Sequence, residues 1–151
     1  MNKIWTYLPG ITWILCGFIL NKIIMVSSDS ILLFILGLGF LFLWGSLAYK
    51  IHHPGENTFT TACILNGVGS FMLVLVLVQE LIVGQYSLNW SGIIPQMYFL
   101  PCLSVTSTLS KPVLGIIMET IHVWPIYILE FILMLFVSLI GCEIKQKRAD
   151  L

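Results

Sequence analysis

Charge is what this chain has least of. Asp, Glu, Lys and Arg make up 9% of its 151 residues, against roughly a quarter in soluble domains, which is too little to cover the surface of a water-soluble body of this length. Seven acidic and seven basic residues cancel, so no net field draws the chain to nucleic acid or to a strongly charged partner. Arginine occurs once, at Arg148, and without a basic patch direct binding to a phosphate backbone is not expected. Paired cysteines are missing as well. Cys16, Cys63, Cys102 and Cys142 form no CxxC and no metal-ligand spacing, and three of them fall in apolar stretches where cysteine acts as a small hydrophobe.

Apolar residues fill that space, at 58% of the chain. Four runs, at about 4–26, 31–51, 61–83 and 124–142, each approach the roughly 20 residues with which a helix crosses the hydrocarbon core. In lipid a backbone must satisfy its own hydrogen bonds, so these runs are expected as helices. The first is read as a retained anchor, because its basic start is weak and no small-residue cleavage site follows. Polar turns separate the runs: Ser27 to Ser30, and His52-His53-Pro54-Gly55-Glu56-Asn57 with its Pro-Gly reversal. The expected fold is thus an all-α integral membrane protein, a single domain built as a four-helix transmembrane bundle.

The basic residues orient it. With the N-terminus inside, Lys3, Lys50, Lys145, Lys147 and Arg148 share the cytoplasmic side, and only Lys22 and Lys111 lie outside. An N-in/C-in arrangement with a cytoplasmic tail over 143–151 is therefore expected. The segment 84–123 lies outside in this scheme. Its first part is uncharged but apolar and broken by Pro95 and Pro101. A fifth span there would move the basic tail outside, so a re-entrant or interfacial outer segment is expected instead.

Ionisable groups in apolar runs invite a functional question. Lys22, Glu80, Glu119, His122 and Glu130 form such an intramembrane polar cluster; 119, 122, 126 and 130 follow helical spacing if the helix continues through a kink at Pro125, the expected hinge. The leading reading is an ion-pair network with Lys22 opposite Glu80 or Glu130. A proton or cation path is second. A metal site is third, since one His among carboxylates is a weak signature, and no metal or cofactor is expected.

Ala62, Asn66, Gly69 and Ser70 share one face of the third run and suggest a helix-packing or subunit seam, with Gly37, Gly45 and Ala48 as a weaker counterpart. Lys50, His52, His53 and Glu56 at the cytoplasmic turn, with Lys145, Lys147 and Arg148 in the tail, are candidates for partner docking. Adjacent histidines do not share one metal from a helix face, but the pair titrates near neutrality. The hydroxyl run Ser104, Thr106, Ser107, Thr108 and Ser110 has capping roles as its commoner use.

Enzyme motifs are absent: no Gly-rich phosphate loop, no His-Glu-x-x-His, no serine-nucleophile pattern. Gly67-Val68-Gly69-Ser70 begins like a nucleophile elbow but lacks the following glycine. In plan the chain is similar to several groups of compact bacterial four-helix membrane proteins: colicin-type immunity proteins, phage-exclusion proteins and the membrane subunit of the Kiwa anti-phage system. That likeness is of architecture and carries no residue over. Similarity to the last of these implies an oligomeric membrane platform that works with a cytoplasmic partner. The expectation is accordingly a non-enzymatic scaffold or sensor, homo-oligomeric, in a bacterial inner membrane, holding a soluble cytoplasmic protein. A channel or ion-coupled transporter and a toxin-immunity protein are the alternatives. Asn89-Trp90-Ser91 matches a glycosylation acceptor, which leaves a eukaryotic source open.

Overall fold

The computed structural model describes residues 4–26, 29–84, 90–117 and 124–149, and every regular element among them is helical. The first two runs form α1 (Ile4–Val26) and α2 (Ser30–Ile51). α2 begins where the Asp29 carboxylate accepts from the amides of Ile31 and Leu32 at 2.9 and 3.4 Å, filling donors that a helix start leaves open. Asn57 does the same for α3 (Thr58–Leu65), accepting from Phe59 and Thr60 at 2.9 and 3.3 Å. Between these helices Gly55 takes φ +92°, the left-handed backbone that a residue with a Cβ rarely adopts.

The third run is not the continuous span that its hydropathy predicts. Asn66 divides it into α3 and α4 (Gly67–Leu77), which with the following π-helical turn Val78–Val83 is bent by 53° from α3. The Asn66 side chain explains the break. Its amide donates to the Ala62 carbonyl at 2.8 Å and to Ser138 Oγ at 2.9 Å, and its oxygen accepts from Trp44 Nε1 at 3.2 Å. Three helices are tied at that residue.

A second correction concerns the segment between the third and last runs. Trp90–Ile117 is one long helix, α5, packed against α1, α2, α4 and the last helix, α6 (Trp124–Ala149). Tyr98, Phe99, Cys102 and Thr106 have no exposed surface, so this part of the expected outer segment is a continuous helix packed inside the bundle. The prolines that suggested an interruption are absorbed. A proline leaves the carbonyl four residues earlier without its donor. For Pro95 that carbonyl belongs to Ser91, and the buried Gln79 Nε2 donates to it at 2.7 Å. For Pro101 it belongs to Met97, whose carbonyl oxygen lies against Gly17 so closely that any Cβ there would overlap it. Neighbouring helices thus re-satisfy or cover the freed groups, the condition under which prolines persist in apolar helices.

Helix directions follow from the contacts. Trp13 packs on Phe40 and Trp44, with ring centroids 5.3 and 4.7 Å apart, while Leu20 and Ile24 share a groove with Ser30 and Leu33, so α1 and α2 are antiparallel. Gly45 meets Val137 and Gly141, and the carbonyls of Ala48 and Lys50 accept from Cys142 Sγ and Lys145 Nζ at 3.8 and 3.0 Å; α6 is parallel to α2. Met97 meets Gly17, and Leu100 and Leu103 line the groove with Leu20 and Ile24, so α5 runs along α1 in the same sense. Between the start of α3 and the end of α5 the chain therefore crosses the bundle once. The start of α1 and the end of α6 lie at the same end, and an extra helix does not move the basic tail to the other side.

α1, α2 and α6 are long and apolar enough to cross a membrane, and the bent α3–α4 pair makes a fourth candidate. Large side chains point outward from each, among them Ile19, Phe42, Phe71, Ile82 and Phe136. A soluble monomer rarely shows contiguous apolar surface on this scale, and the arrangement is compatible with a multi-pass membrane protein. In lipid, helices of this kind would have little hydrophobic reason to associate, and contact and hydrogen bonding would hold them together.

Candidate functional site

Two polar networks sit inside the bundle, and they differ in how completely they are satisfied. In the first, Trp44, Asn66 and Ser138 bond in sequence, and Ser138 Oγ donates to the Met134 carbonyl at 2.7 Å. Every donor in that chain has an acceptor, as expected of a structural knot.

The second network centres on Glu130. It lies on the inward stripe of α6 with Tyr127, Met134, Ser138, Gly141 and Cys142, and its side chain has no exposed surface. Oε2 accepts from Thr106 Oγ1 of α5 at 3.3 Å, and Oε1 has no hydrogen-bond partner. The Tyr98 hydroxyl, also buried and without a partner, lies against Gly69 of α4. The Phe99 and Tyr127 rings, 5.2 Å apart, close one side. An ionisable residue enclosed in this way, with one oxygen open, is a functional candidate by its energetic cost alone.

The expected cluster is brought together only in part. Lys22 is exposed on α1, and Glu130 makes its bond to Thr106, so the expected pairing of Lys22 with Glu130 is not formed: an exposed ammonium does not reach a fully enclosed carboxyl. Glu80 is half-buried in the π turn, within electrostatic reach of Tyr127. Glu119 and His122 lie outside the described residues. The hinge expected at Pro125, the second residue of α6, depends on residues 119–123, which lie outside the described residues. No cluster of three or more metal-ligating side chains occurs among the described residues.

The small-residue face points inward. Ala62, Asn66 and Gly69 are buried within the chain, Gly69 against the Tyr98 ring, while Ser70 is outward and donates to the Asn66 carbonyl. Gly37 packs on α5 and Gly45 on α6. The hydroxyl run is spent largely on its own helix: Ser107 and Thr108 donate to the Ser104 carbonyl and Ser110 to that of Ser107, while Ser104 crosses to Leu33 and Thr106 to Glu130.

At the end shared by both termini the turn and the tail meet. α6 stays helical to Ala149 rather than ending at 142, and its last turns reach the 52–57 turn and the end of α2. The Gly55 amide donates to Gln146 Oε1 at 3.0 Å, Lys145 Nζ donates to the Lys50 carbonyl, and Arg148 Nη1 donates to the Tyr49 hydroxyl at 3.4 Å. Lys50, His53, Glu56, Lys147 and Arg148 stay exposed there. His52 does not: it has no exposed surface, and its Nδ1 sits 3.3 Å from Thr61 Oγ1, so it leaves the set of residues open to a partner. Tyr98, Tyr49 and Gln146 were not legible as site residues, and Thr106 entered only as one of the hydroxyl run. The one available signal was that Tyr98 and Thr106 recur near α-helical spacing with Cys102.

Fold and site together define an all-helical bundle with three to four candidate membrane spans and a buried carboxyl in its interior. Comparison with protein-family models, with curated proteins and with solved structures gives no match, so the likeness to defence and immunity proteins stays one of plan.

Proposed function

We propose that the chain is a non-enzymatic membrane scaffold, both ends on the cytoplasmic face of a bacterial inner membrane, that holds a soluble protein at the joined turn and tail. The observation that carries this reading is the convergence of Gly55 with Gln146 and of Tyr49 with Arg148, 91 and 99 residues apart in sequence. It builds one charged, exposed surface on a body whose sides are apolar. The cations gathered there, Lys50, Lys145, Lys147 and Arg148, favour the cytoplasmic side. Homo-oligomers would form through the outward apolar faces, because Ala62, Asn66 and Gly69 are already used within the chain.

Purification in gentle detergent with intact-mass measurement tests the reading. A stoichiometric soluble companion is expected with the native chain, and its loss with Lys147→Glu and Glu56→Lys, both exposed. A bare chain in every gentle detergent, or retention by the charge variants, overturns the docking surface.

A second reading, an ion or proton path, is favoured by the open oxygen of Glu130 and the open hydroxyl of Tyr98. Liposomes carrying the protein should then show a flux that Glu130→Gln abolishes. Absence of flux across voltage and pH removes this reading and leaves Glu130 as a packing residue.

A further inference from the structure

The outward side of the α2–α6 seam is hollowed. A groove of about 550 Å³ runs along it, lined by Phe42, Gly45, Ile140, Gly141 and Ile144 and ending at Tyr49, Lys50 and Arg148. The two glycines make the hollow. At Gly141 a Cβ would overlap the Gly45 carbonyl, and at Gly45 it would press on Val137, so the backbones approach closely and leave no side chain between the flanking walls. Val137 and Arg148 both line the groove, and that stretch of helix is about 16 Å long at 1.5 Å per residue. This is close to one leaflet, half of the roughly 30 Å hydrocarbon core. The long axis is therefore apolar over a leaflet's depth and cationic where a headgroup would lie.

We propose that this groove is a site for one anionic phospholipid, an acyl chain lying over Gly45 and Gly141 and the phosphate held by Arg148 and Lys50. Arg148 is positioned for that role. One guanidinium nitrogen donates to the Tyr49 hydroxyl, and its carbon stands 5.9 Å from the Tyr49 ring centroid, which leaves the other N–H groups for phosphate oxygens. Lys145 is tied to the Lys50 carbonyl and lies 5.8 Å from the Tyr49 ring centroid, adding positive charge beside the headgroup position. The acidic residues of this end, Glu56 and Glu143, are not among the groove-lining side chains. Basic pockets between membrane helices on the cytoplasmic side are known to take anionic headgroups. A second copy of the chain fits less well, since it would set cations against cations at the groove's end.

The inference shares the membrane setting of the scaffold reading but not its partner. It is read on the purified chain alone, through residues other than Lys147 and Glu56. Native mass spectrometry with dioleoyl-phosphatidylglycerol and dioleoyl-phosphatidylcholine at equal concentration provides the test. The chain should retain the anionic phosphatidylglycerol over the zwitterionic phosphatidylcholine with a preference of about thirtyfold, the size that two cations near a membrane surface supply. Lys50→Gln with Arg148→Gln should bring that preference to within about twofold while a chain still binds. Ser46→Phe, which fills the groove wall, should reduce retention of both lipids, and thermal midpoints without added lipid verify that each variant is folded. Equal retention of the two lipids by the native chain, a preference that survives the double variant, or a lipid-free dimer that Ser46→Phe dissociates would overturn the proposal.

Discussion

Gly17 and Gly39 lie in the interiors of neighbouring helices, and alanine should act on them with opposite sign. Taken alone, Gly→Ala in a helix interior adds up to about 1 kcal/mol, because alanine loses less backbone freedom on folding. At Gly39 nothing lies within 4 Å of the position a Cβ would take, so only this gain applies, and Gly39→Ala should be neutral to stabilising by about 1 kcal/mol. At Gly17 the same atom meets the carbonyl oxygen, carbon and Cα of Met97. These are backbone atoms of a helix that Pro101 has already left without one internal bond, and no rotamer change relieves the overlap. α1 and α5 must separate along their shared length, and overpacking of this kind costs about 1–3 kcal/mol or more. With the propensity gain set against it, a net loss of roughly 2 kcal/mol is expected, or a chain that does not assemble. Unfolding of the purified protein by rising mole fraction of dodecyl sulfate in mixed micelles, followed by the fluorescence of the buried Trp13 and Trp44, reads both variants on one scale. If Gly17→Ala unfolds at the same mole fraction as Gly39→Ala, the close approach of α5 to α1 is wrong.

Asn66→Ala removes two bonds between helices, to Trp44 and Ser138, and strands the indole donor; at about 0.6 kcal/mol per bond between membrane helices, more where a donor is orphaned, the loss should be about 1–2 kcal/mol. In the same unfolding assay Ser138→Ala should lose most of its own effect once Asn66 is gone, and strictly additive losses would count against a shared network. Gln79→Ala should destabilise by about 1 kcal/mol, because the Ser91 carbonyl has no Pro95 donor to fall back on. In a Pro95→Ala background, where residue 95 regains its N–H, Gln79→Ala should have little effect, and an unchanged loss would show that the two are not coupled. Glu130→Leu should be tolerated less well than Glu130→Gln, since the amide oxygen keeps the Thr106 bond; equal midpoints for the two would mean that this bond contributes nothing measurable.

Much of the architecture was legible in the order of residues. The apolar runs, the polar turns between them and the Pro-Gly reversal are local signals, and local geometry honoured them except where the third run breaks at Asn66. Asn66 was singled out as a residue able to bond across a helix gap, but its effect on its own helix was not foreseen. Hydropathy counts side chains and does not register an amide that competes for the Ala62 carbonyl. For 90–117 the prolines and hydroxyls lowered the apparent claim to a buried helix. The missing information lay elsewhere: a donor on Gln79, and a glycine on α1 opposite Met97.

Composition and spacing alone determined that this is an all-helical chain with apolar spans and a basic end, because backbone groups without water must bond within the segment and too few charges remain to clothe a soluble surface. Which polar groups are satisfied was decided only by the tertiary structure. Lys22 and Glu130 look like partners along the chain, yet one is exposed and the other enclosed with Thr106. The small-residue face suits either a neighbouring helix or a second subunit, and in the fold α5 and α6 occupy it. Spacing along one helix says which side chains share a face. What that face meets depends on how separate helices pack, and close approach and hydrogen bonding between residues far apart in the chain settle that.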